Sequence, residues 1–358
     1  MTRVVVGMSG GVDSSLAAAI LKDKGYDVVG LFMHNWKETG DDGVCTAEQD
    51  YADVRRVCNI FDIPYYTVDL SKEYWDGVFS HFVEEYKRGR TPNPDVLCNR
   101  EIKFGAFKRE AEKIGADYVA TGHYCGVWHS DEGRTYLTRA QDDNKDQTYF
   151  LNQVSEEQIK NVLFPLQPLT KTEVRGMAEK LGIPTAHKKD STGVCFIGER
   201  NFRKFLSEYV PMKKGEIRTL DGRVIGEHEG VYFYTVGQHK GFGLGGVKGC
   251  DNVKPWYVIR KDVENNVLYV CQGEPDELYS TELFTEGFHF ITDTIPDGKE
   301  VLCRIRHRQP LQKATFFRTD EGARVVFCDK QRAVAPGQYC VLYDDRICLG
   351  GGVINRAN

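Results

Sequence analysis

The first 125 residues alternate short apolar runs with stretches of helical period. Residues 4–7, 28–33, 65–70 and 118–121 read as strands, and residues 16–24, 47–60, 72–88 and 101–114 as helices, the first and last stopped by Gly25 and Gly115. Alternation at this spacing predicts a parallel sheet with helices on both faces, an α/β domain that binds ligands at the carboxyl ends of its strands. Past about residue 200 the period shortens. Residues 257–260 with 267–271, 315–318 with 324–327, and 338–343 with 347–354 alternate around polar turns, which predicts hairpins and a small antiparallel β-barrel. The Gly-rich stretch 237–249 lies between the two regimes. The expected division is an α/β domain over 1–200, a small β-rich central domain over 201–275 and a C-terminal barrel over 276–358.

A length of 358 residues suits two or three domains. No run of 18 apolar residues occurs, so no membrane span is expected, and the early strand leaves no room for a targeting peptide; the expected location is the cytoplasm. The 11 cysteines are odd in number and include no C-x-x-C pair, which disfavours a zinc ribbon, a thioredoxin-type motif or a secreted disulfide framework. The net charge of −5 hides local polarity. Residues 301–318 carry Arg304, Arg306, His307, Arg308, Lys313 and Arg318 with no acid, a surface suited to phosphates.

The first strand runs into Gly7-Met8-Ser9-Gly10-Gly11-Val12-Asp13-Ser14-Ser15 and then a helix. Glycines let the backbone aim its N–H groups at an anion, and the helix N-terminus favours negative charge. The lysine of a G-x-x-x-x-G-K-[ST] loop is missing, and the spacing is not G-x-G-x-x-G. The pattern S-G-G-x-D-S resembles the pyrophosphatase loop of adenylating enzymes, which holds the pyrophosphate end of ATP. Two cysteines stand in suggestive settings. Cys98 follows Arg90-Thr91-Pro92-Asn93-Pro94-Asp95, read as a rigid loop, with a helix expected from about Arg100; a helix N-terminus and nearby Arg100 and Lys103 favour a thiolate. Cys195 lies in KKDSTGVCFIG, again beside lysines.

Together these stretches resemble the tRNA-specific 2-thiouridylase family. The likeness rests on residues 7–14, 91–104 (TPNPDVLCNREIKF), 144–151 (NKDQTYFL), 189–200 (KDSTGVCFIGER), 235–246 (TVGQHKGFGLGG) and 348–354, and it covers nearly the whole chain. It implies an adenine-nucleotide alpha-hydrolase-like (pyrophosphatase-loop) first domain and ATP-dependent 2-thiolation of the wobble uridine in tRNAs for Lys, Glu and Gln. Cys195 matches the cysteine that carries a persulfide, Cys98 its partner thiol, and a transient Cys98–Cys195 disulfide is implied. Asp95 matches the acid/base, with Asn93 and Pro94 lining the base pocket. Gly7 through Ser14, Met33 and Gly122 match ATP contacts; Lys145, Asp146, Gln147, Arg306 and His307 match tRNA contacts. The implied cofactor is ATP with Mg²⁺, and the implied partner a cysteine desulfurase or sulfur-relay protein. Some relatives carry cysteine at the Asp95 position; here the expectation is no iron–sulfur cluster, with a three-cysteine site the open alternative. Rival readings are an amide- or amine-forming ligase with the same loop, and a non-catalytic RNA-binding protein. The first needs no paired cysteines, and the intact loop speaks against the second.

Overall fold

The structure is a computed structural model and describes residues 1–36, 46–190, 202–241, 243–244 and 254–358. The first region contains β1 (Arg3–Met8), β2 (Asp27–His34), β3 (Tyr65–Asp69), β4 (Tyr118–Ala120), β5 (Cys125–His129), β6 (Thr135–Arg139) and β7 (Val162–Leu163). Five of them form a parallel sheet in the order β3-β2-β1-β4-β7. Val4, Val5 and Val6 are fully buried, as strands covered on both faces require. The helices Val12–Asp23, Thr46–Ile60 and Lys171–Lys180 cover one face. The other face is covered by a helical run from 71 to 87 and another from 94 to 113.

The second of these runs corrects the sequence reading. It starts at Pro94 with Asn93 as N-cap, several residues before the expected start. Proline is tolerated at a first helical position because the N–H it lacks would have no partner there. From Cys98 to Ala106 the run is π-helical, a geometry frequent at functional sites.

Two further sheets follow. β8 (Gly215–Thr219), β9 (Val224–His228), β10 (Trp256–Asp262) and β11 (Val267–Gln272) form a four-stranded sheet, with β11 parallel to β8. The 257–271 hairpin therefore belongs to this central sheet and not to the barrel, because β11 finds its second partner in β8. The barrel contains β12 (Tyr279–Phe290), β13 (Lys299–Arg304), β14 (Gln312–Arg318), β15 (Ala323–Arg332), β16 (Tyr339–Asp344) and β17 (Ile347–Ala357). Their order is β12-β15-β14-β13-β16-β17, and β12 pairs back to β17, which closes it. Closure removes both edges.

The α/β region is joined to the barrel through the β5–β6 hairpin, which the period of the sequence did not reveal. Ile347 and Cys348 of β17 pair with Thr138 and Leu137 of β6, so the sheet runs on across the boundary. A shared core of Val96, Phe104, Leu137, Tyr149, Tyr339, Val341 and Tyr343 lies beneath it. Tyr149 is fully buried, and its hydroxyl donates to the Tyr339 carbonyl at 3.1 Å. At about 1.5–3 kcal/mol per buried large side chain, this core holds the barrel against the α/β region. Among the described residues no helix is long and apolar enough to cross a membrane.

Candidate active site

The Gly-rich loop lies where the sequence put it, at the carboxyl end of β1. Gly10 has φ +73°, and a Cβ there would come within 2.5 Å of the Asp50 carbonyl oxygen. Only glycine takes this turn without strain. The Ser9 N–H donates to Ser14 Oγ at 3.1 Å, and Ser15 Oγ donates to the Gly11 carbonyl at 2.8 Å. These bonds pin the loop to the first turn of its helix. Gly122 closes the other side: a Cβ on it would lie 2.7 Å from the Asp13 carbonyl carbon and from the Ser14 nitrogen. Met33 is near the end of β2, paired with Val68 and partly buried.

Three side chains to which the sequence reading assigned no role at the loop serve Asp13 and its neighbours; one of them, Lys188, is among the lysines expected to act on Cys195. The Tyr124 hydroxyl donates to Asp13 Oδ1 at 2.7 Å. Lys171 Nζ lies 2.8 Å from each Asp13 carboxylate oxygen and 2.8 Å from Asp190 Oδ1. Lys188 Nζ donates to the Gly10 carbonyl at 3.1 Å and to Asp50 and Asp53 at 2.7 Å each. Burial works to raise the Asp190 carboxyl, but hydrogen bonds from Lys145 and Lys171 hold it down at about 2. The missing lysine of the loop was the available signal that cations had to come from elsewhere. Nothing local marks Lys171, which stands 158 residues from Asp13.

Cys98 is buried on the helical run that starts at Pro94. Next to it, Asn99 donates to the Phe150 carbonyl at 3.0 Å, and among the described residues its buried Oδ1 has no partner. Burial raises the Asp95 carboxyl and Lys103 opposes it. Lys103 Nζ is 3.5 Å from His123 Nε2, while His123 Nδ1 is 2.8 Å from Thr121 Oγ1. Burial, helped by Lys103, pushes the His123 imidazole well below its usual range, so it is neutral. The segment 121–124 thus touches the Gly-rich loop through Gly122 and Tyr124, and the cysteine helix through His123. Phe107 of that helix also lies 3.4 Å from where a Cβ on Gly7 would be. Cys195, and with it the implied Cys98–Cys195 pair, lies outside the described residues.

The 91–95 stretch is fastened to the barrel. The Thr91 N–H donates to the Pro336 carbonyl at 2.9 Å, Gln338 Nε2 to the Thr91 carbonyl at 2.7 Å, and Arg90 Nη1 meets Glu286 at 2.6 Å. Thr91 Oγ1 is 3.1 Å from Thr235 Oγ1 of the central region. The expected RNA contacts divide. Lys145 is partly buried and paired with Asp190 at 2.7 Å, and the Gln147 side chain accepts the Tyr124 N–H at 2.9 Å. The Asp146 carboxylate is not at the surface: it is fully buried, 2.8 Å from Arg304 and 3.3 Å from Arg139. An unpaired buried carboxylate is costly, so these guanidiniums hold it inside. Arg306 is partly buried and donates to the Ala333 carbonyl at 2.7 Å, and the His307 ring lies 4.4 Å from the ring of Phe150.

A Gly-Gly-x-Asp-Ser loop at the carboxyl edge of a parallel sheet, with a cysteine helix against the same segment, defines a pyrophosphatase-loop nucleotide-binding enzyme. Residues 2–199, 203–272 and 280–354 match family models described as tRNA methyl transferase HUP domain, tRNA methyl transferase PRC-barrel domain and aminomethyltransferase beta-barrel domain. The chain is 54% identical over 359 residues to the tRNA-specific 2-thiouridylase MnmA of Streptococcus thermophilus, covering 99% of this chain and 96% of the relative. It is 56% identical over 356 residues to the protein of that name from Listeria welshimeri, covering 99% and 94%. Among solved structures it is similar to the U34-tRNA thiolase NcsA from Methanococcus maripaludis, at 18% identity and a TM-score of 0.36 over 58% of this chain and 63% of that one. The chain belongs to the tRNA-specific 2-thiouridylase family.

Proposed function

We propose that the chain uses ATP to adenylate the C2 oxygen of the wobble uridine in tRNAs for Lys, Glu and Gln, and replaces that oxygen with sulfur carried as a persulfide on Cys195. The observation that carries this reading is the segment 121–124, whose Gly122 and Tyr124 meet the loop while His123 meets Lys103, five residues beyond Cys98 on the same helical run. Nucleotide activation and thiol chemistry then face one short piece of chain. Gly7 through Ser14 hold the pyrophosphate end of ATP, Mg²⁺ arrives with the phosphates, and Met33 meets the adenine. Asn93 and Pro94 line the pocket for a base taken out of its stack, with Asp95 as acid/base.

Adenylation turns a carbonyl oxygen into a leaving group. The outer sulfur of the Cys195 persulfide then either attacks C2 or is released as sulfide when the Cys98 thiolate attacks the persulfide; either way AMP departs. Cys98–Cys195 disulfide formation closes both routes. In the first, the Cys98 thiolate attacks the Cys195 sulfur of the C2–S–S–Cys195 adduct and 2-thiouridine leaves with the electron pair; in the second, the same attack on the persulfide releases the sulfide. The persulfide comes from a cysteine desulfurase or a relay protein in the cytoplasm. The site works without an iron–sulfur cluster, because Asp95 supplies no thiolate three residues before Cys98. Lys145, Gln147, Arg306 and His307 meet the tRNA, with Asp146 holding their turn to the barrel from within.

The test combines the full chain with unmodified tRNA, ATP, Mg²⁺ and a persulfide donor without reductant. The expected products are 2-thiouridine, AMP, pyrophosphate and a Cys98–Cys195 disulfide seen by mass spectrometry. Full thiolation by a Cys195→Ser variant would overturn the persulfide route, and the absence of 2-thiouridine from the wild-type reaction would overturn the function.

A further inference from the structure

We infer that Lys171 is a catalytic residue: the cation that the Gly-rich loop lacks, bound to the pyrophosphate end of ATP and neutralising it as it leaves. The inference rests on the proposed function and assigns this residue to its first step.

The loop presents N–H groups and hydroxyls but no ammonium of its own. Among the described residues two lysines reach it, and they differ in what holds them. Lys188 spends its three N–H donors on the Gly10 carbonyl, Asp50 and Asp53. Lys171 instead spends two of its donors on Asp13, the loop's own carboxylate, and one on Asp190. Its side chain is only 12% exposed, whereas the Asp13 side chain is 31% exposed. A divalent cation arriving with ATP prefers a carboxylate oxygen, and Asp13 offers a part-exposed one on the loop itself. A metal ion held there would leave the Lys171 ammonium free to meet the phosphates. The residue is placed firmly for this. It opens the helix Lys171–Lys180, Thr170 caps that helix with a capping box, and the Lys171 N–H donates to Asp142 at 3.0 Å.

The chemistry needs such a group. A lone pair on uridine O2 forms the bond to the α-phosphorus as the bond from that phosphorus to the β-bridging oxygen breaks. The electron pair leaves on pyrophosphate, and the uridine N3 proton passes to Asp95. Charge grows on the pyrophosphate oxygens, which is where an ammonium stabilises the transition state more than the ground state.

The test uses the full-length protein and isothermal titration with Mg²⁺-pyrophosphate and, separately, with AMP. In Lys171→Met the expected result is about a tenfold or greater loss of pyrophosphate affinity with AMP affinity held within about twofold, the loss of one charge-assisted contact. Lys171→Arg restores most of the affinity, because the charge returns. A structural lysine would shift both ligands together or neither. Wild-type pyrophosphate affinity in a folded Lys171→Met variant overturns the inference. Unfolding of both Lys171→Met and Lys171→Gln overturns it too, because the lysine would then serve the fold. A wild-type protein that binds neither ATP nor pyrophosphate removes the ATP reading itself, and Lys171 with it.

Discussion

Arg304 on β13 and Asp146 in the turn before Thr148 meet at 2.8 Å, with side chains 4% and 0% exposed. Asp146 also accepts the Thr148 hydroxyl and the Arg139 guanidinium, and its neighbour Gln147 pairs with the Tyr124 backbone, whose hydroxyl reaches Asp13. One buried pair thus fastens the barrel to a turn that abuts the nucleotide loop. Asp146→Ala leaves Arg304 charged and without this partner in the interior. The expected cost is about 3–5 kcal/mol, read as a shift of the urea midpoint. Lys145→Ala, next door but paired near the surface, is expected to cost under about 1 kcal/mol. Equal stability of the two variants would contradict this account of the turn.

Gly337 has φ +91°, and a Cβ there would lie 2.7 Å from the Thr91 nitrogen. Gly337→Ala therefore strains the backbone and pushes on the stretch that leads into Asn93, Pro94 and Asp95. Thiolation is expected to fall by about a hundredfold through misplacement of the reacting base. ATP affinity, measured by titration without tRNA, is expected to stay unchanged. A parallel loss of both would place the damage in the fold.

Asp13→Ala is expected to abolish AMP and pyrophosphate production. Gly122→Ala, whose new methyl would press on the Asp13–Ser14 peptide, is expected to do the same without changing any polar group. Pyrophosphate release at the wild-type rate by either variant would remove the loop from the reaction.

His123, His228 and His307 all have imidazoles lowered from 6.5, in each case chiefly by burial. A base whose folded value lies below its unfolded value favours the folded state above the unfolded value. That stability is lost as the pH falls toward the folded values. Denaturation midpoints are expected to drop on going from about pH 7.5 to pH 5, and His123→Gln should flatten the slope. A pH-independent midpoint in the wild type would contradict the burial of these rings.

Cutting away the barrel is a poor test of RNA binding, because it also removes Arg304 from Asp146 and β17 from β6. Arg308 and Lys313 are exposed members of the basic run. Arg308→Glu with Lys313→Glu is expected to weaken tRNA binding and to make its salt dependence shallower, with ATP affinity intact. Unchanged tRNA affinity across a salt series would assign the barrel another task.

The sequence by itself determined what is local. Glycines that need positive φ, an apolar strand before them and a helix after them are encoded within about fifteen residues, so the nucleotide loop was legible at residues 7–15. So were the parallel sheet, because doubly covered strands are continuously apolar, and the 315–327 and 338–354 hairpins of the barrel. The start of the cysteine helix was misread, since a proline is compatible with a first helical turn as well as with a loop. Only the tertiary structure decided which distant groups share a site. Lys171 reaches Asp13 across 158 residues, Arg304 reaches Asp146 across another 158, and Arg90 reaches Glu286 across 196. Each pair is specified by chain topology and by the cost of leaving a charge unpaired in a low-dielectric interior, and neither leaves a period or a motif in the sequence.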